Sequence, residues 1–419
     1  MAQVLIEVDD LNFGIKPEYL ETLKAALEER FIFGKMEFQE ADFAGRHIKV
    51  EKDKVIMHQE KYILEKIFPH KLPRGKLRDR TALLDPEDFE AHRSLLYKVN
   101  WVAHQTRPEA AGIVSLLASR LHHATVHDLS CLKKIAVHLR STARQALILH
   151  QFDSEKMVFV AASDAGGIDG KPILNSNEDT VQGAWVILAT GSLPSASHGR
   201  KASILSWRSS KIKRRVASTL AGEALAFSQA LGELEWLQVM FRDVVFGDVL
   251  RSNWQASISP FLGVLREECE LKKRLEQCGI TDAKSLFDNL RKENPTSRQD
   301  RRTSIEVAII IEGMRKSDSC LRWCPHPRMI ADSLTKDDLS KSNGALEELL
   351  RTGRFCVWDE SGELARRKTD PSSKNRFRKA SEKIRGDGQQ LFTSIHGNID
   401  LGVLFNHFTS DRHVADMLP

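Results

Sequence analysis

Apolar and polar positions divide the chain into stretches of different character. At the N-terminus the run Val4-Leu5-Ile6 breaks into Val8-Asp9-Asp10, and Tyr19, Leu20, Leu23, Ala26 and Leu27 follow at helical spacing. Between Phe31 and Lys61 short alternations such as His47-Ile48-Lys49-Val50, together with the run Val55-Ile56-Met57, predict a hairpin, and residues 62–67 predict a short helix. Residues 88–150 carry helical spacing throughout. At Met157 the character changes. The run Met157-Val158-Phe159-Val160-Ala161-Ala162 predicts a buried strand leading into Ser163-Asp164-Ala165-Gly166-Gly167, and residues 184–188 and 204–207 predict two more strands. Leu220, Ala224, Phe227, Leu231, Leu234, Phe241 and Val244 then predict a long amphipathic helix from about Ser218 to Val245. Segments 283–293 and 300–317 read as helices, and Leu321-Arg322-Trp323-Cys324 as a short apolar run. From Asp359 to Gln390 large apolar residues nearly vanish. The piece from Arg366 to Arg385 holds nine basic residues against Asp370 and Glu382, a composition that buries too little surface to fold alone and predicts a flexible tail before a poorly specified end, residues 391–419.

Composition bounds this picture. A chain of 419 residues has room for roughly two to four domains. Lys and Arg total 62 against 57 for Asp and Glu, a net charge of +5, so any polyanion would have to meet positive charge gathered locally. The six cysteines are too few and too scattered for a secreted disulfide framework, which points to a reducing compartment. No stretch approaches the roughly 18 apolar residues of a membrane span, and the early apolar run is interrupted by Glu7, Asp9 and Asp10. The expectation is an intracellular protein, cytoplasmic or nuclear, without a membrane partner.

Four acids stand at element ends or on apolar faces: Asp164 after the buried strand, Glu223 four residues before Phe227 on the long helix, Asp282 at the start of a helix, and Asp332 within Met329-Ile330-Ala331-Asp332-Ser333-Leu334-Thr335-Lys336. Any one of 57 acids taken alone reads as a cap or a solvated residue. Together they become tolerable if they converge on hard divalent cations, which take oxygen ligands and offset the mutual repulsion. Four carboxylates on two Mg²⁺ ions about 4 Å apart, with Mn²⁺ as a substitute ion, predict phosphodiester hydrolysis.

The segments Ala162-Ser163-Asp164-Ala165, Leu205-Ser206-Trp207-Arg208-Ser209-Ser210-Lys211, residues 217–224 and Ala331-Asp332-Ser333-Leu334-Thr335-Lys336 resemble, in order and spacing, the ribonuclease H domain of copia-type retrotransposon Pol polyproteins. The resemblance implies an α/β fold, a ribonuclease H-like mixed sheet with flanking helices, and places that family's catalytic and metal-binding carboxylates on Asp164, Glu223, Asp282 and Asp332. Thr281-Asp282-Ala283-Lys284 departs from the family's pattern, and Asp288-Asn289 stands nearby as a competitor. Further upstream, Val8-Asp9-Asp10 is similar to the Y-V-D-D turn of the reverse transcriptase palm, Gln59-Glu60-Lys61-Tyr62-Ile63 to a segment downstream of it, and Tyr97–Ala103 with Thr106-Arg107-Pro108 to the region preceding ribonuclease H. The implied organisation is a truncated palm remnant over 1–72, a helical connector over 73–152, a ribonuclease H-like domain over 153–340, and a helix with a basic tail over 341–419. Glu7 stands where the family has Tyr, and the strand bearing the palm's other catalytic Asp is absent. Asp9 and Asp10 are therefore expected to be vestigial, with DNA synthesis requiring the missing part of a reverse transcriptase. The implied activity is metal-dependent cleavage of the RNA strand of RNA–DNA hybrids. The alternative is a decayed fragment that only binds nucleic acid.

Between Arg200 and Arg215 lie seven basic residues and no acid. The run reads either as a solvated strand and loop or, because it adjoins the four acids, as a phosphate-binding surface formed by Arg208, Lys211, Lys213, Arg214 and Arg215. Selection of a hybrid would rest on groove shape and 2′-hydroxyls, with Ser163, Ser209, Ser210 and Asn289 as polar candidates. His326, six residues before Asp332, reads as a turn residue between prolines or as a proton-transfer group near the acids. Cys320, Cys324 and His326 lack a fourth ligand at zinc spacing, which leaves buried thiols as the better reading.

Overall fold

The computed structural model describes residues 2–7, 10–15, 17–32, 35–71, 75–154, 156–167, 181–192, 199–214, 216–246, 275–292 and 301–356. Asp9, Arg215 and the basic tail lie outside the described residues.

The N-terminal segment pairs β1 (Ala2–Glu7) antiparallel with β2 (Asp10–Ile15), with Glu7 opposite Asp10. The second strand was not expected. Helix α1 (Leu20–Glu28) follows. A four-stranded antiparallel sheet comes next, in the order β3 (Glu40–Phe43), β4 (Arg46–Glu51), β5 (Lys54–His58) and β6 (Leu147–His150). Strand β6 departs from the helical spacing expected through residue 150: Leu147 and Leu149 are buried and the strand pairs with β5, so tertiary pairing decides a four-residue apolar run that periodicity leaves ambiguous.

Between β5 and β6 the chain is helical: α2 (Glu60–Lys66), α3 (Pro86–Gln105), α4 (Ala111–Ser119) and α5 (Val126–Ser141). Their starts are written locally. Asp85 accepts the Asp88 backbone N–H at 2.9 Å with Pro86 in the first turn of α3, and Thr125 with Asp128 forms a reciprocal capping box on α5.

The second sheet has six strands in the order β11 (Cys320–Trp323), β10 (Glu276–Thr281), β7 (Val158–Gly166), β8 (Gln182–Thr190), β9 (Arg200–Lys211) and β12 (Arg354–Phe355). Strands β10 and β11 run parallel to β7, and β8 is antiparallel to both β7 and β9. Helices α6 (Thr219–Phe246), α7 (Lys284–Leu290) and α8 (Arg301–Ser317) contribute to one apolar core with one sheet face, while α3, α4, α5 and α9 (Ala345–Thr352) share the other core with the opposite face. Strand β7 shows why its sequence is apolar without alternation: Phe159 and Ala161 belong to the core with α6, Val158, Val160 and Ala162 to the core with α3, α4 and α5. The result is a mixed α/β, ribonuclease H-like sheet covered on both faces. No helix among the described residues is long and apolar enough to cross a membrane.

Candidate active site

Three elements of the second sheet and its covering helix deliver acids to one point. Asp164 lies two residues inside the end of β7, paired with Ala184 of β8, so the strand continues past the position where the sequence pattern ends it. Glu223 comes from the first turns of α6, and Asp282 directly succeeds β10. Each offers a carboxylate oxygen within 4.8 Å of the other two. Helix α6 reaches this position because Phe227, one turn beyond Glu223, packs on Gly279 of β10, where a Cβ would meet the ring at 2.4 Å.

Such crowding has electrostatic consequences. Burial, then the Asp282 charge, pushes the Asp164 carboxyl up to about 6, with Lys336 and the Thr335 hydroxyl opposing. Burial, then the Asp164 charge, holds Glu223 well above the usual carboxylate range, and its Oε2 is a buried oxygen with no hydrogen-bond partner. Carboxylates that retain protons in a hard-oxygen cluster, one of them with an orphaned buried oxygen, fit a divalent cation: an ion there would satisfy that oxygen and replace the protons.

Asp332 is handled differently. It begins the 3₁₀ turn Asp332–Thr335 and is fully buried, with Oδ1 2.6 Å from Lys336 Nζ and Oδ2 accepting the Asn343 backbone N–H at 2.9 Å. Its carboxylate does not join the group of three, and His326 spans the two, with Nδ1 2.9 Å from Asp282 Oδ2 and Nε2 3.5 Å from Asp332 Oδ1. The Asp282 hydrogen bond raises the His326 pKa above its ordinary value against the effect of burial. Asp288, the competitor of Asp282, sits exposed on α7 in an ion pair with Lys284.

Two groups went unassigned from sequence. The Thr335 hydroxyl donates to Asp164 Oδ2 at 2.5 Å and Lys336 pairs with Asp332, although both belong to a motif quoted for its aspartate alone. Burial opposes protonation of Lys336, but the Asp164 and Asp332 charges outweigh it and raise its pKa. The turn carrying these residues is held from three sides: Ser209 Oγ donates to Leu334 O at 2.5 Å, Gly112 lets α4 press against the Leu334 backbone, and Gly166 admits Thr335.

The basic run on β9 is less open than its sequence implies. Arg208, Lys211, Lys213 and Arg214 are exposed, but Arg214 pairs with Glu306 at 3.0 Å and Lys201 with Asp53 at 3.1 Å, acids supplied from α8 and the first sheet. Trp207 turns into the core and donates to Ala103 O at 2.9 Å. Ser163 and Ser209 are buried, so neither faces a substrate. Cys324 is also fully buried, and burial raises its thiol pKa well above the usual range.

No protein-family model and no curated protein matches the chain. Among solved structures it is similar to an RNase H1 isolated from compost, at 13% identity over 47% of this chain and 99% of that one, with a TM-score of 0.25. It is also similar to the N-terminal RNase H domain of a Mycobacterium tuberculosis protein, at 12% identity over 47% and 98% of the two chains, with a TM-score of 0.24. A foamy viral protease–reverse transcriptase in complex with double-stranded DNA matches 76% of this chain and 45% of its own, at 13% identity and a TM-score of 0.39. The structural neighbours are thus ribonuclease H domains and a viral reverse transcriptase.

Proposed function

We propose that this chain is a divalent-metal-dependent ribonuclease H that cleaves the RNA strand of RNA–DNA hybrids. The observation that carries the reading is the meeting of Asp164, Glu223 and Asp282 within 4.8 Å, three hard-oxygen donors gathered at one point. Asp164, Glu223 and Asp282 would hold Mg²⁺, or Mn²⁺ in its place, and Asp332 stands beside them as the fourth acid. The bound metal supplies Lewis-acid polarisation of a phosphoryl oxygen and a lowered water pKa.

The chain's own groups prepare that chemistry. The Thr335 hydroxyl fixes Asp164 by donating to its Oδ2. Lys336 offsets the charge of buried Asp332, and His326, between Asp282 and Asp332, is placed to carry a proton at the edge of the site. Arg208, Lys211 and Lys213, with Arg215 beyond the described residues, would meet backbone phosphates. On this reading the N-terminal hairpin and the first sheet would belong to a reverse-transcriptase-like palm and helices α3–α5 to the segment preceding the nuclease in a copia-type retrotransposon Pol, with the nuclease unit over 153–340.

The test is a labelled RNA–DNA hybrid incubated with the purified chain in Mg²⁺ and then in EDTA. Metal-dependent cutting of the RNA strand is expected, and Asp164→Asn should abolish it while the hybrid is still retarded on a gel. Cutting by Asp164→Asn would remove the assignment. A wild-type band that shifts without being cut would favour the decayed, binding-only fragment.

A further inference from the structure

Two thiols face each other across the strand pair that leads into the site. Cys278 of β10 and Cys320 of β11 are register partners in the parallel pairing, and neither is bridged. Cys278 is fully buried and Cys320 is partly buried. Neighbouring strands lie roughly 4.7–4.9 Å apart, inside the roughly 4.4–6.8 Å between Cα atoms that a disulfide spans. Strand β11 is four residues long and forms the edge of the sheet. Its last residue and the turn beyond it touch the site directly: Trp323 Nε1 donates to Asp282 O at 2.9 Å and His326 meets the Asp282 carboxylate.

We infer that Cys278 and Cys320 are a peroxide-oxidised thiol pair whose reversible disulfide clasps the edge strand β11 onto β10. Accessibility sets the order of events. A side-chain hydrogen bond with Cys278, together with the Arg322 charge, holds the more accessible Cys320 thiol below the ordinary thiol range against the effect of burial. Its thiolate attacks hydrogen peroxide: a sulfur–oxygen bond forms, the oxygen–oxygen bond breaks and hydroxide leaves, giving a sulfenic acid. The Cys278 sulfur then attacks the Cys320 sulfur, the sulfur–sulfur bond forms, the sulfur–oxygen bond breaks and water leaves. In total, two thiols and one hydrogen peroxide give one disulfide and two waters. A thiol reductant reverses the change. The inference stands independently of the nuclease reading.

The full chain in EDTA is treated with hydrogen peroxide, its remaining thiols are alkylated, and unreduced tryptic peptides are weighed. A linked peptide containing Cys278 and Cys320, lost on reduction, is expected, with the thermal midpoint rising by about 5–10 °C. Cys131→Ser should still give the link. Cys278→Ser should leave Cys320 as sulfenic or sulfinic acid, and Cys320→Ser should leave Cys278 alkylated only after unfolding, both without the thermal gain. Wild-type protein in which both thiols are alkylated after peroxide, or in which Cys320 proceeds to sulfinic acid while Cys278 remains free, would overturn the inference.

Discussion

Arg107 is a cation with no exposure, enclosed with Glu109 at 2.6 Å, and its guanidinium also donates to Thr142 Oγ1 at 2.5 Å and Thr142 O at 3.1 Å. It ties the start of α4 to the end of α5, which gives the Thr-Arg-Pro tripeptide a structural purpose. Removing one partner of a buried pair leaves the other charge uncompensated, so Arg107→Ala should lower unfolding free energy by about 3–5 kcal/mol in urea titrations. At the site, Thr335→Val removes the donor that orients Asp164. Affinity for Mn²⁺, read by calorimetry, should fall about 10–100-fold, while Thr335→Ser should keep near wild-type binding. The acids themselves were legible in sequence because each interrupts an apolar context. The choice of Asp282 over Asp288 was not, since it depends on where α7 begins: Asp288 falls inside the helix, one turn from Lys284, and Asp282 stays at the strand end. Thr335 and Lys336 were equally opaque. Their roles come from the tight 3₁₀ turn that carries their side chains back toward Asp164 and Asp332.

Elements are positioned by close backbone approaches that a hydrophobicity pattern does not register. Helix α4 meets the Asp332–Thr335 turn at Gly112, where a Cβ would lie 2.5 Å from Leu334 O, an atom already held by Ser209. Gly112→Ala must therefore separate helix and turn. The expected result is a loss of about 1–3 kcal/mol in stability together with weaker Mg²⁺-dependent cleavage of hybrid, whereas Gly232→Ala on α6, where a Cβ meets nothing, should be neutral or slightly stabilising by the same two assays. Periodicity did find the large elements. The long helix expected from about Ser218 to Val245 is α6, and the three apolar runs beginning at Met157, Ala184 and Ile204 mark β7, β8 and β9. Among the strands it missed are β2, β6, β10 and β12, which pairing rather than pattern defines. The charge run on β9 shows the same limit, because Asp53 and Glu306 neutralise parts of it from distant sequence.

On the scale of the molecule, one core unites segments that composition divides. Phe43, Ile48 and Met57 of the first sheet, Val99, Val114 and Leu132 of α3, α4 and α5, and Val160, Val186 and Trp207 of the second sheet belong to a single buried cluster, joined further by Leu346 and Phe355. A sequence divided near residue 152 does not reveal this continuity, because the apolar faces that join are far apart along the chain. His150 sits at one junction, its backbone N–H donating to Ser203 Oγ at 2.8 Å and its Nε2 3.0 Å from Gly353 O. Burial, with the Lys201 charge, lowers its pKa from 6.5 to about 4, and burial alone, against the Asp128 charge, does the same to fully enclosed His92 on α3. Both imidazoles are thus neutral in the fold at pH values where the unfolded chain is protonated. Unfolding therefore takes up protons between pH 6.5 and about 4, so this contribution to stability is complete above 6.5 and is lost as pH falls toward 4. Asp164, with its carboxyl near 6, and Glu223 act in the opposite direction, since the fold retains their protons where the unfolded chain releases them. The histidine part is isolated by difference. Urea unfolding at about pH 7.5 and about pH 5 should show wild type losing on the order of 2 kcal/mol per buried histidine relative to His92→Leu and His150→Gln. Equal losses in wild type and in both variants would show that these rings do not set the pH response.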